Sequence, residues 1–268
     1  KIRRFGYEYE ITHDVEKAKE FYELCHRSYI TARHGEMSYV NPLQDFLRYF
    51  ERGELLLVKR DGQVVAGLLA LREGDTYVNM YNGVRDADAR LVDEGALAAQ
   101  YYFSIDAARQ RHYRRLDFGP SRPFLNDGIL TYKKKWNSRV VPDPRIQRQL
   151  GFRKGRLNRS ACLFLQENPF FIQWRDKLAS LIFLGESVDV DTKDLRSMLK
   201  KYCFDGVPIV IVVVLDKSWA LRRDELRSFG INNDILLMVI DFSINSGWTT
   251  EQLIQQINTE CVTQTPKP

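Results

Sequence analysis

Three strand-length apolar runs crowd into residues 55–82, separated by nothing longer than a tight turn, and no other stretch limits the fold so sharply. The runs 55–60, 63–72 and 76–82 are rich in Leu, Val, Ala and Tyr. Asp61-Gly62 and Gly74-Asp75 between them are hairpin-type pairs, tolerant of the positive φ that such turns need. The spacing predicts an antiparallel meander. A helical pattern over residues 93–110 follows, with Leu97, Tyr101, Ile105 and Ala108 on one face, and then a short strand over 114–118. A chain that crosses over through a helix returns its next strand beside, and parallel to, the meander's last one.

Upstream, residues 7–12 alternate as a strand and His13-Asp14 offers a helix cap. Val15, Ala18, Tyr22, Cys25 and Tyr29 then fall at helical spacing, with Gly35 as the stop, and Pro42 opens a second helix carrying Leu43, Phe46, Leu47 and Phe50. Downstream, strands are expected near Val140 and over 161–166, and a helix capped by Asn168-Pro169 through residue 178. Strand, two helices, three antiparallel strands, helix, strand, short helix and two strands is the order of the N-acetyltransferase (GNAT) fold. In that fold the meander's last strand and the next one splay apart, leaving a notch for an acyl donor.

The remainder reads differently. Runs 181–184, 209–215 and 235–240 are short and continuously apolar, as in parallel strands buried on both faces. Helical patterns lie between and after them: Leu195, Met198, Leu199 and Tyr202; residues 221–229; and Leu253, Ile254 and Ile257. The expected fold class is α/β: a GNAT-type mixed sheet with a splayed parallel pair over 1–178, then a small parallel three-layer βαβαβα domain over 179–262, and a disordered tail over 263–268. Glu186, Asp216 and Asp241 end the three apolar strands. They either present carboxylates to a cation or a hydroxyl at one sheet edge, or cap the helices that follow.

Charge is uneven: residues 1–168 carry +7 and residues 169–268 carry −2, within a total of +5. The basic band over 109–159 suits an anionic partner such as a phosphate-bearing cofactor, a nucleotide or RNA. No apolar run reaches the length of a membrane span. Cys25, Cys162, Cys203 and Cys261 share no metal-type spacing, so no metal site is predicted and the thiols are expected to be reduced, in a cytoplasmic protein.

The chemistry concentrates in residues 113–139, where an acid, a cation and aromatic rings follow a strand end. Leu116-Asp117-Phe118-Gly119-Pro120-Ser121-Arg122, followed by Tyr132-Lys133-Lys134-Lys135-Trp136-Asn137, resembles the paired signature of bacterial FemAB-like acyltransferases, GNAT-fold proteins that include the CelD-like group. Ala32-Arg33-His34-Gly35, Asp61-Gly62-Gln63-Val64-Val65-Ala66-Gly67 and Tyr81-Asn82-Gly83 are similar to further family segments. The resemblance implies transfer of an acyl or aminoacyl group, from acyl-coenzyme A or aminoacyl-tRNA, to an amine or hydroxyl of a small molecule or cell-wall precursor. It implies that Lys133 stabilises charge at the transferred carbonyl, with Tyr132 and Trp136 packed beside it. Pro120, the longer 122–127 segment and Asn137 in place of a glycine depart from the pattern, and only one GNAT unit is evident.

Several residues carry two readings. Asp117 either deprotonates an acceptor or caps a turn, and His34 is either a general base or a bond to its helix end. Arg85 and Arg122 either clamp an anion or form surface ion pairs. Tyr81, with Asn82, lines the notch or fills core, and Ser121 belongs to the signature turn. Residues 82–95 hold only Gly83 and Gly95 beside Asp86, Asp88, Asp93 and Glu94, so four carboxylates oppose a pyrophosphate at the helix start. The alternative to an enzyme is a degenerate GNAT module that binds a nucleotide, RNA or a partner protein.

Overall fold

The computed structural model describes residues 2–143, 158–174, 176–185, 192–215, 236–241 and 255. The chain falls into two compact units, Lys1–Gly119 and Pro120–Pro268. This division by packing lies upstream of the 178/179 boundary read from the sequence.

The first unit is built on strands β1 (Glu8–Thr12), β2 (Gly53–Arg60), β3 (Gln63–Glu73), β4 (Thr76–Val84) and β5 (Arg115–Asp117), adjacent in that order. The meander is antiparallel and β5 joins β4 in parallel, as the crossover demanded. Asp61 (φ 51°), Gly62 (φ 75°) and Gly74 (φ 60°) supply the left-handed turns. Alternation along β2 splits the core. Leu55 and Leu57 face a cluster with Phe21, Tyr22, Phe46 and Phe50, while Leu56 and Val58 face Ala96, Ala99, Phe103 and Ala107. Helices therefore cover both faces.

On one face, α1 (Val15–Phe21) runs through a π-helical stretch, Tyr22–Arg27, into α2 (Ser28–His34), and α3 (Leu43–Glu51) packs alongside. Asp14 caps α1, its carboxylate accepting from Glu16 N at 2.8 Å. The other face carries α4 (Ala89–Glu94) and α5 (Ala96–Gln110). The single helix expected from residue 93 is thus two: Gly95, at φ 103°, ends α4 by donating to Leu91 O and opens α5. Buried alanines on α5 let it lie close to the sheet.

In the second unit α6 (Gly128–Lys134) and α7 (Arg159–Glu167) precede β6 (Phe170–Trp174), β7 (Lys177–Leu184), α8 (Thr192–Lys201), β8 (Ile209–Val214) and β9 (Leu236–Asp241). The sheet order is β6-β7-β8-β9, with β7, β8 and β9 parallel and β6 antiparallel at the edge. The apolar runs gave the parallel core correctly; the elements before it differ. Residues 161–166, expected as a strand, are helical because Asn158 caps the turn through Ala161 N (2.9 Å) and Cys162 and Leu165 fall on one buried face. The helix expected over 168–178 is instead β6 and the start of β7. Asn168 closes α7, and the aromatic, β-branched run Phe-Phe-Ile-Gln-Trp pairs with β7. Val140 lies in a loop rather than a strand, tied by its N–H to Asp205 O at 2.8 Å.

The helix over 221–229, Glu186, Asp216, Cys261 and the 263–268 tail lie outside the described residues, as does the terminal helix except for helical Gln255. Asp241 is the last residue of β9. No helix among the described residues is long and apolar enough to cross a membrane.

Candidate active site

β5 accompanies β4 only from Thr76 to Val78, pairing with Arg115 to Asp117. Beyond that point residues 79–84 of β4 have no strand on the β5 side among the described residues. The parting has visible causes. Asp117 accepts a bond from Gly119 N at 2.7 Å, turning the chain straight after β5. Gly119 sits at φ 77° so close to β4 that a Cβ would lie 3.1 Å from Asn79 O. On β4 itself the register against β3 shifts so that Leu69 faces Tyr81 while Ala70 faces Asn79, leaving Met80 as a bulge.

The bare stretch is sandwiched by polar groups. Towards α1 and α3, Tyr81 is buried against Phe46 (5.5 Å, 64°) and His26 (5.0 Å, 81°), and its hydroxyl accepts from Asn41 Nδ2 at 2.6 Å. Tyr22 donates to Asn41 O at 2.6 Å. Burial raises the pKa of both tyrosines. His26 Nδ1 lies 2.7 Å from Asn82 O, and burial lowers the imidazole pKa against the opposing effect of that bond. Towards α5, Gln100 donates to Gly83 O at 2.6 Å and Asn79 donates to Ser104 Oγ at 3.0 Å. Asn79 Oδ1 and Gln100 Oε1 are buried acceptors with no hydrogen-bond donor among the described residues.

The predicted site residues divide between the two units. In the first, Tyr81 and Asn82 lie on the bare part of β4 and Asp117 at the parting. Arg85 is committed to Val64 O and to Glu20, both at 2.6 Å. His34 closes α2 before Gly35 at φ 53°, and its side chain lies outside the described positions. Of the four carboxylates before α5, Asp88 is held by Arg90 at 3.1 Å and Glu94 by Arg60. Two of the opposing charges are thus neutralised locally, and no side chain caps the first turn of α5.

In the second unit Lys133 is buried on α6, its ammonium donating to Pro120 O at 2.8 Å and to Ser121 Oγ at 3.2 Å. Tyr132 and Trp136 meet edge to face at 6.4 Å, and Arg122 is exposed. Lys134 donates to Lys201 O at 2.7 Å and lies over the Phe204 ring; burial lowers its pKa. Cys25, Cys162 and Cys203 are free thiols whose pKa burial raises, Cys25 to about 12. Among the described residues no cluster of three or more His, Cys, Asp or Glu could hold a metal ion.

Sequence reasoning passed over His26, Asn79 and Gln100. His26 stands four residues after Tyr22, beside the apolar stripe, and that spacing was a usable signal. The π-helical turn that brings Cys25 and His26 inward together was not readable.

Several solved structures are similar to part of this chain. An IAA acetyltransferase from Bacillus cereus is 16% identical, with 51% of this chain and 79% of that one covered and a TM-score of 0.37. An aminoglycoside acetyltransferase from an uncultured soil metagenomic sample, in complex with sisomicin, is 12% identical over 57% of this chain and 96% of its own, at a TM-score of 0.38. A ribosomal-protein-alanine N-acetyltransferase from Brucella melitensis is 14% identical over 54% and 99%, at 0.35. No curated protein matches the chain. The family model described as an acetyltransferase (GNAT) domain matches residues 1–134, half of the sequence, and the chain therefore belongs to the GNAT acetyltransferase family.

Proposed function

We propose that this chain transfers an acyl group from coenzyme A to an amine or hydroxyl of a small polar acceptor, at the edge of β4 left bare by β5. That bare edge carries the reading. A strand edge that no other strand covers has main-chain groups to offer an extended, amide-bearing chain and a thioester carbonyl, and here Asn82 O and Gly83 O are already taken by His26 and Gln100. Behind that edge Asn79 Oδ1 and Gln100 Oε1 are buried acceptors without a donor among the described residues, a polar interior that a purely structural sheet would not need. The uncapped first turn of α5 supports a pyrophosphate there. The pairing of Asp88 and Glu94 removes part of the electrostatic objection.

The acceptor's lone pair attacks the carbonyl, the main-chain N–H groups steady the oxygen, and the thiolate leaves. The signature around Asp117 and Lys133 supports a FemAB-like subtype. That subtype keeps cell-wall or polysaccharide precursors among the acceptors and aminoacyl-tRNA as the second donor to try. Lys133, tied to Pro120 and Ser121, also holds its own turn.

A thermal-shift series with acetyl-coenzyme A, longer acyl-coenzyme A and aminoacyl-tRNA tests the reading. A donor at a hundred times its dissociation constant adds about 2.7 kcal/mol to stability. A shift with acyl-coenzyme A is expected; a shift with aminoacyl-tRNA alone would replace the donor. No shift with any of them would leave a binding module of the same fold.

A further inference from the structure

We infer that His26 is the proton acceptor of the transfer, an inference that rests on the transferase reading above. A carbonyl oxygen can only accept, so the 2.7 Å contact with Asn82 O makes Nδ1 the protonated nitrogen of the neutral ring. Nε2 then carries the lone pair, and it makes no hydrogen bond to any described residue. The ring is held rigidly. Tyr81 packs edge-on to it, Tyr22 lies at 6.0 Å, and the main chain of Cys25 and His26 presses on Gly83 so closely that a Cβ there would overlap it. This is the arrangement of a base whose tautomer is set by the bond made by its other nitrogen.

The surroundings favour the neutral form. The titratable and charged groups on its own helix and on the elements packed against it are Tyr22, Glu23, Cys25 and Arg27 beside it; Glu16, Lys17, Lys19 and Glu20 on α1; Tyr29 and Arg33 on α2; Tyr77 and Tyr81 on β4; and Arg85 and Asp86 in the turn after β4. Burial, and none of these, lowers the pKa below its ordinary 6.5, so the base is free at neutral pH. The π-helical turn places the ring against Asn82, on the stretch of β4 that β5 leaves bare. In the reaction the acceptor's N–H or O–H proton passes to Nε2 as the new C–N or C–O bond forms and the C–S bond breaks. The imidazolium then returns that proton to the departing thiolate, giving free coenzyme A and a neutral ring.

The test compares wild type with His26→Asn, whose amide keeps the donor to Asn82 O and lacks the second nitrogen. With acetyl-coenzyme A as donor and a set of primary amines as acceptors, kcat/KM is followed by thiol release between about pH 5 and 9. Wild type should lose activity on the acid side below 6.5. His26→Asn should be about 10²- to 10⁴-fold slower and lack that limb, with the donor's thermal shift unchanged. A folded, donor-binding variant that keeps the wild-type rate and limb would overturn the assignment. Should the variant not fold, ¹⁵N-histidine NMR of wild type decides: an Nδ1–H tautomer whose Nε2 signal moves on adding acceptor supports the role, and an Nε2–H tautomer ends it. If no acyl-coenzyme A binds wild type, the transferase reading fails and this inference falls with it. Donor binding with an unaltered pH profile removes only His26.

Discussion

The two sheets bury their strands by opposite means. β8 in the second unit is Ile-Val-Ile-Val-Val-Val, every side chain buried, and the neighbouring Ser180 satisfies its hydroxyl on Tyr202 O at 2.9 Å. β4 in the first unit mixes Tyr, Asn and Gly, and the buried groups around it include His26, Glu54, Gln100 and Ser104. Tyr77 and Arg111 both bond the buried Glu54 carboxylate, yet Asn79 and Gln100 keep acceptors without donors. Among the described residues the second unit leaves no buried side-chain acceptor without a donor, whereas β4 runs past two of them beside a bulge and an edge that no strand covers.

The contrast can be broken or sharpened experimentally. The largest effect is expected from Gly83→Val, whose side chain would overlap the main chain of Cys25 and His26. Denaturant unfolding should show a loss of about 4 kcal/mol or more, with the first unit giving way. Ile211→Ala in β8 should destabilise by about 2–5 kcal/mol through the cavity it leaves, while acyl-coenzyme A affinity, measured calorimetrically on the folded protein, stays unchanged. Donor binding that collapsed with Ile211 would refute the division of labour between the sheets.

Lys133→Met keeps the apolar stem but strips two bonds from the Pro120–Ser121 turn, for an expected loss of about 1–2 kcal/mol in a melting series. Full transfer activity in that variant would leave Lys133 a purely structural role. Gln100→Leu removes an acceptor without a donor but also the bond to Gly83 O, so stability should fall by only about 1 kcal/mol while acyl-coenzyme A binds about tenfold more weakly. An unchanged affinity would disconnect the unsatisfied acceptors from the donor.

The smallest effect is a pH dependence. The native pKa of His26 is depressed below 6.5, so above that pH the ring is neutral in both states and its contribution is fully present. As pH falls through 6.5 towards the native value the unfolded chain binds a proton that the folded chain does not, and stability declines. The decline should be shallower in His26→Asn; equal slopes would mean that the ring titrates normally in the fold.

Most of the architecture was legible because it follows from local rules. Two turn dipeptides delimit the meander, continuous Ile/Val runs mark the parallel strands, and Gly35 stops its helix by the conformation it alone adopts readily. The longest misread stretch, residues 161–178, is one where an apolar run fits either period. Asn158 and Asn168 decided it, because a capped turn closes a helix while Phe170 to Trp174 had a strand to pair with.

By itself, then, the sequence determined the element order of a GNAT-type mixed sheet, a parallel α/β sheet after it, and attention to residues 113–139. Only the tertiary structure decided what those residues face. Asp117 and Lys133 bond the turns beside them, and His26, Asn79 and Gln100 gather round β4 from positions 26, 79 and 100. Periodicity reports which side of an element is apolar. It carries no record of a π-helical turn, a one-residue bulge or a strand that stops after three pairs, and those irregularities shape the candidate site.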